Sequence, residues 1–106
     1  MKEKILIAAI WYKDLPTQQL LPLNIGKGIV VCGHRHAQCI YTTKALSGLR
    51  TIQFGPESVG ETIQGFLTNT NRFVDREEAM SIAILANQII ERQGGHTSEL
   101  YSEDLY

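Results

Sequence analysis

The stretch that most constrains the fold is Gly65–Ile90, "GFLTNTNRFVDREEAMSIAILANQII". Two short apolar runs flank Asn69-Thr70-Asn71, which is the pattern of a β-hairpin, because Asn tolerates the backbone angles of a tight turn. Asp75 then opens a helix. Asp75 with Glu78 three residues on fits a capping box with Asp in the place of Ser or Thr, and Glu77 and Glu78 suit the positive end of the helix dipole. Ala79, Ile82, Ala83, Ala86, Ile89 and Ile90 recur at helical spacing, so the spacing predicts one long helix running to about Ile90. Met80, Ile84 and Leu85 widen its apolar surface beyond one stripe. Such a helix needs covering on more than one side, and in a chain of 106 residues a second copy is a natural cover.

The N-terminal half reads less sharply. Lys4–Trp11, "KILIAAIW", is short, apolar and rich in Ile, which predicts a buried strand. A loop with Pro16, Pro22 and Gly26-Lys27-Gly28 follows. Gly28–Gly33, "GIVVCG", predicts a second strand. From His34 to about Ser47 the pattern predicts a shorter helix, with Ala37, Ile40 and Tyr41 on one face and Gly48 as its cap. Leu49–Thr62 reads as loop, with room for a short strand at Thr51–Phe54. Together these elements predict a single α+β domain over residues 1–106: a small, mostly antiparallel sheet packed with one long and one shorter helix. The last stretch, "HTSELYSEDLY", has no core-forming period, yet Leu100, Tyr101, Leu105 and Tyr106 are too apolar for pure solvation. It is expected to pack on its own domain or on a neighbour.

Ten basic and eleven acidic residues nearly cancel, so overall charge argues for neither a nucleic acid polymer nor a membrane as partner. The distribution is uneven. Between Pro16 and Pro56 there are four bases (Lys27, Arg35, Lys44, Arg50) and no acid, whereas from Phe73 onward seven acids face only Arg76 and Arg92. This arrangement suits either two mutually attracting surfaces or a basic pocket for an anion. Cys32 and Cys39 are expected as free thiols in a reducing cytosol. No apolar run reaches the ~20 residues of a membrane helix, and the N-terminus lacks a signal-peptide layout, so a cytoplasmic location is expected.

The strand-to-helix turn Gly33–His36 is the leading site. Free backbone N–H groups at a helix start attract anions, a glycine permits close approach, and Arg35 with His34 and His36 adds donors. Arg72 and Arg76 are candidates to join Arg35 in an anion pocket. The plain alternative leaves His34 and Arg35 in solvent, His36 in a local hydrogen bond and Arg76 in a surface salt bridge. A metal site is a further alternative, with Cys32, His34 and His36 alternating and Cys39 and His96 available, although the paired ligand spacings of zinc sites are missing. Enzyme signatures fail on inspection. "REEA" lacks the second Glu pair of a Nudix helix, the histidines do not form two His-x-Ser/Thr repeats, and no Walker or dinucleotide-binding glycine pattern calls for a cofactor. Catalysis by His34 or His36 as a general acid or base remains an alternative. So does a protein-binding inhibitor or adaptor that uses the apolar, acidic tail.

The combination of "GHRH", "QGFLTNTNRFVDREEAMSIAILANQI" and "LYSEDLY" resembles a group of small proteins common in bacteriophage genomes. The likeness covers roughly Gly33–Gly48 and Gln64–Tyr106. Some small phage proteins of this size are anti-defence sponges that sequester nucleotide signals of host immunity, such as Thoeris cyclic ADP-ribose isomers or cyclic oligonucleotides, without cleaving them. The resemblance implies a small anionic, aromatic ligand held in the host cytoplasm. His34, Arg35, His36, Arg72 and Arg76 would meet its phosphates, and Trp11, Phe66 or Tyr101 would stack on its base.

Overall fold

The N-terminal apolar run becomes the longest strand of a sheet. The computed structural model describes residues 2–47, 61–90 and 98–106. In these, β1 (Ile5–Tyr12), β2 (Ile29–Gly33), β3 (Thr62–Thr68) and β4 (Phe73–Asp75) form an antiparallel sheet in the order β2-β1-β3-β4. Alternation along β1 sorts its side chains between two faces. Ala8, Ile10 and Tyr12 join Phe66 and Val74 on one face, and Ala9 and Trp11 join Ile63, Leu67 and Phe73 on the other. Helices α1 (His36–Ser47) and α2 (Arg76–Leu85) both cover the first face, where Cys39, Ala79, Met80 and Ala83 are buried. The α+β architecture is therefore as the sequence predicts.

The second face is covered by the β1–β2 loop. The sequence reads this segment as a loop, and in the fold its Leu21 and Ile25 pack on Ala9 and Phe73. Asn24 fastens the loop to β4, accepting from Phe73 N–H (2.8 Å) and donating to Phe73 C=O (2.6 Å). Gly28 closes the loop at φ +76°, and a Cβ there would lie 2.2 Å from the Tyr12 carbonyl oxygen. Only glycine fits such a position.

The β3–β4 hairpin turns where expected. Thr68 N–H donates to Arg72 C=O (2.9 Å), and Asn71 takes the left-handed conformation at φ +61°. The two strands approach so closely at Gly65 that a Cβ would sit 2.0 Å from the Val74 carbonyl oxygen. Asp75 caps α2 by accepting from Glu78 N–H (2.8 Å).

Two details differ from the sequence reading. The helix after Asp75 stops at Leu85, so the two helices span 12 and 10 residues and the predicted long helix is the shorter one. Asn87 enters the left-handed region at φ +58° and Gln88 N–H bonds back to Ala83 C=O (2.9 Å), a C-terminal capping arrangement. The Gln88 side chain then accepts from Ile5 N–H and donates to Ile5 C=O, so an amide takes the place of a neighbouring strand. In α1 the buried face is His36, Cys39 and Thr43, while Ala37 and Tyr41 are exposed. The turn ahead of the helix seats Cys39 beneath β1, its Sγ 3.7 Å from the Ala8 carbonyl oxygen, and that contact sets the phase of the helix. The segment proposed as a strand at Thr51–Phe54, and the Gly48 cap, lie outside the described residues.

The C-terminal stretch packs on its own domain. Leu100 is buried in the main core, Ser102–Asp104 forms a 3₁₀ turn, and Ser102 and Asp104 are buried. Leu100 N–H donates to Arg76 C=O (2.8 Å), and Ile90 N–H donates to Asp104 C=O (2.8 Å).

Candidate functional site

The end of β2, the starts of α1 and α2, the middle of β3 and the C-terminal stretch converge at one place. Arg76 is the link among them. At the first residue of α2, its guanidinium donates through Nη1 to Leu100 C=O (2.8 Å) and through Nη2 to Gln64 Oε1 (2.7 Å). Nη2 also lies 3.4 Å from His36 Nδ1, and the guanidinium stacks 4.4 Å from the centre of the Tyr101 ring. Burial pulls Arg76 below its ordinary value, partly offset by Tyr101, Glu99 and Glu103. An arginine remains charged through such a shift.

His36 sits beneath Arg76 as a buried, neutral imidazole. Its Nε2 lies 2.8 Å from the Gly65 carbonyl oxygen, which only accepts, so Nε2 carries the proton. Nδ1 is then the acceptor that faces Arg76. Burial lowers the His36 pKa and Arg76 lowers it further, while the bond to Gly65 and the charge of Glu103 oppose the shift. The edge of the imidazole rests on Phe66 at 5.1 Å.

The second arginine lies one residue ahead. Arg35 N–H donates to Gln38 Oε1 (2.8 Å), and Arg35 C=O accepts from Cys39 N–H (3.3 Å), so Arg35 is fixed where α1 begins. Its side chain reaches Tyr106. Nη2 donates to the Tyr106 carbonyl oxygen, and the guanidinium lies 4.9 Å from the Tyr106 ring centre. That ring also packs on the His34 imidazole at 4.3 Å, and its hydroxyl donates to His34 C=O (2.7 Å). The other guanidinium nitrogen, Nη1, is buried and has no hydrogen-bond partner among the described residues. Leaving a buried donor unpaired costs on the order of 1–3 kcal/mol, and more when the group is charged.

The family of the chain follows from its whole length. The family described as Phage T4 y16D protein matches residues 4–106. The chain belongs to that phage family. The match spans the four strands and two helices of the described residues and the tail that carries Tyr101 and Tyr106. No curated protein and no solved structure matches the chain.

Of the residues singled out from sequence, this phage protein groups Arg76 with His36 and Tyr101, and His34 with Arg35 around Tyr106; the two groups join through the backbone of Arg35-His36. Phe66 is fully buried and supports His36 from below. Trp11 lies on the opposite face of the sheet, edge-on to Phe73 at 6.1 Å, with its indole N–H on Lys27 C=O (2.9 Å). Arg72 is also elsewhere. It forms a two-pronged pair with Glu3 (Nε to Oε2 and Nη2 to Oε1, both 2.8 Å) and reaches Glu78 at 3.1 Å. Arg72 and the Thr70 and Thr68 hydroxyls pull the Glu3 pKa down to about 2.

Sequence reasoning missed Gln64, Gly65 and Leu100 as partners and Tyr106 as an occupant of the turn. Tyr106 stood in the quoted "LYSEDLY"; the role of the other three carries no local signal. Among the described residues no three His, Cys, Asp or Glu side chains stand close enough to hold a metal. Cys32 and Cys39 are both free, and burial pushes the Cys39 thiol up to about 11. His96 lies outside the described residues. Among the described residues no helix is long and apolar enough to cross a membrane.

Proposed function

We propose that this phage-family protein binds and sequesters a phosphate-bearing nucleotide, such as a cyclic nucleotide signal of host immunity, without cleaving it. The observation that carries the reading is the Arg35 guanidinium, whose Nη1 is buried and has no hydrogen-bond partner among the described residues, one residue ahead of the His36 that faces Arg76. A planar cation with an unused donor suits an oxyanion, which takes two parallel hydrogen bonds where a neutral group takes one. Tyr106 supplies an aromatic face at Arg35, and Tyr101 supplies one at Arg76. Both ring nitrogens of His36 are engaged, which weighs against His36 as the base of a hydrolysis and leaves His34 as the histidine of the catalytic alternative. Leu100 of the C-terminal stretch is buried in the core and Leu105 packs against it, which weighs against a free arm that captures a host protein. Assembly with a second copy belongs to the same proposal: Tyr41, Leu46, Ile84 and Leu85 leave large apolar surface exposed on the two helices.

Calorimetric titration with a cyclic dinucleotide and with a cyclic ADP-ribose isomer, followed by denaturation and mass spectrometry of the released small molecule, tests the reading. The expected result is tight binding of one ligand and its return unchanged, with Arg35→Ala weakening binding by about 2–3 kcal/mol, the scale of a lost charged hydrogen bond. Full affinity in Arg35→Ala, or recovery of a cleaved product, would overturn it.

A further inference from the structure

Tyr106 holds the Arg35 face in an unusual way. Its ring lies on His34 and Arg35, and its hydroxyl donates to His34 C=O. Its carbonyl oxygen accepts from Arg35 Nη2. Together these present an aromatic ring and an oxygen acceptor to one guanidinium, which is the chemistry of a base and a phosphate. On the strength of the nucleotide-binding reading above, we propose that Tyr106 is a built-in competitor in the ligand seat, its ring standing where an aromatic base stacks and its carbonyl where one phosphate oxygen binds. The ligand class this assigns is an aromatic ring joined to an oxyanion, and binding swings Tyr106 out.

The structure supplies the hinge and the bias. Leu100, Ser102 and Asp104 are buried, whereas Leu105 is half-buried and Tyr106 is 37% exposed. The stretch through Asp104 is thus anchored in the core, and the departure of Tyr106 breaks its own N–H bond to Ser102 C=O (3.3 Å) but not the bonds that hold Leu100 to Arg76 and Asp104 to Ile90. Arg76 does not share this behaviour, because Leu100 C=O and Gln64 hold its guanidinium beside His36. With Tyr106 closed, one carbonyl oxygen serves Nη2 and nothing among the described residues serves Nη1. An anion with two oxygens serves both nitrogens, so exchange of Tyr106 for the ligand gives the Arg35 guanidinium two hydrogen bonds in place of one and pairs the cation, against the loss of the Tyr106 hydroxyl bond to His34 C=O.

The test uses the full chain, wild type and Tyr106→Ala, with cyclic di-AMP as probe. Removing the competitor is expected to tighten binding roughly tenfold, because the closed form no longer lowers the competent fraction. In the wild type, saturation is expected to move the Tyr106 ring resonances toward those of a free tyrosine. Equal or weaker binding by Tyr106→Ala, with wild-type ring resonances unmoved, would overturn the proposal while leaving the binding reading intact. If cyclic di-AMP binds neither protein, the binding reading loses that ligand, and the competitor is judged on the free wild type. NMR relaxation dispersion at Tyr106 is then expected to reveal exchange with an open state. No exchange, together with a Tyr106 amide as protected as that of Ala9, would refute it.

Discussion

Replacing Glu3 by Gln isolates the ion pair that ties the N-terminus to the hairpin. Glu3 accepts from Arg72 at 2.8 Å through both carboxylate oxygens and also takes the Thr68 and Thr70 hydroxyls. Its pKa falls from 4.5 to about 2, with the Arg72 bond as the largest cause. A drop of that size corresponds to about 3 kcal/mol at ~1.4 kcal/mol per unit. The Arg72 side chain is 36% exposed and that of Glu3 24%, so solvent screening reduces the expected effect to roughly 1–2 kcal/mol. The folded pKa lies below the unfolded one, so this stabilisation is complete above about pH 4.5 and disappears as pH falls toward 2. Urea denaturation at a series of pH values should therefore find Glu3→Gln about 1–2 kcal/mol less stable than wild type at pH 7, with the gap closing in acid. A double-mutant cycle with Arg72→Gln should attribute most of the loss to the pair. A gap that is constant with pH, or no gap at pH 7, would refute the reasoning.

Two further substitutions probe the ground under the site. His36 binds its proton less readily in the fold than at the usual 6.5, so the fold loses stability as pH drops below about 6.5; His36→Gln keeps a donor for Gly65 C=O and should flatten that slope in chemical denaturation between pH 7.5 and 5.5. Gly65→Ala places a methyl 2.0 Å from the Val74 carbonyl oxygen, so β3 and β4 must separate; a loss of at least about 2 kcal/mol is expected in thermal melts, and an unchanged melting temperature would contradict the packing described.

The hairpin and the start of α2 were legible because their signals are local. Asn69-Thr70-Asn71 carries its own turn chemistry, and Asp75 caps from three residues away. The end of α2 was misread because Ile89 and Ile90 continue a helical period by coincidence. Asn87 breaks the helix, and Gln88 is claimed by Ile5, more than eighty residues distant in sequence. In α1, periodicity pointed to Ala37, Ile40 and Tyr41, whereas the seat of Cys39 beneath Ala8 decided the phase. The site divided along the same line. His34, Arg35 and His36 stand together in the chain, so their turn was visible. Arg72 and Arg76 differ by one helical turn in sequence yet face different partners, since Glu3 takes one and Leu100 with Gln64 takes the other. Only the fold could separate them.

The most direct measurement follows the Arg35 guanidinium itself. Nitrogen-15 NMR of the arginine side chains during titration with a cyclic dinucleotide reports whether that group receives the phosphate. The Arg35 signals are expected to shift and sharpen on binding, with Arg72 unmoved in its pair with Glu3. Binding that leaves Arg35 unchanged would contradict the proposal.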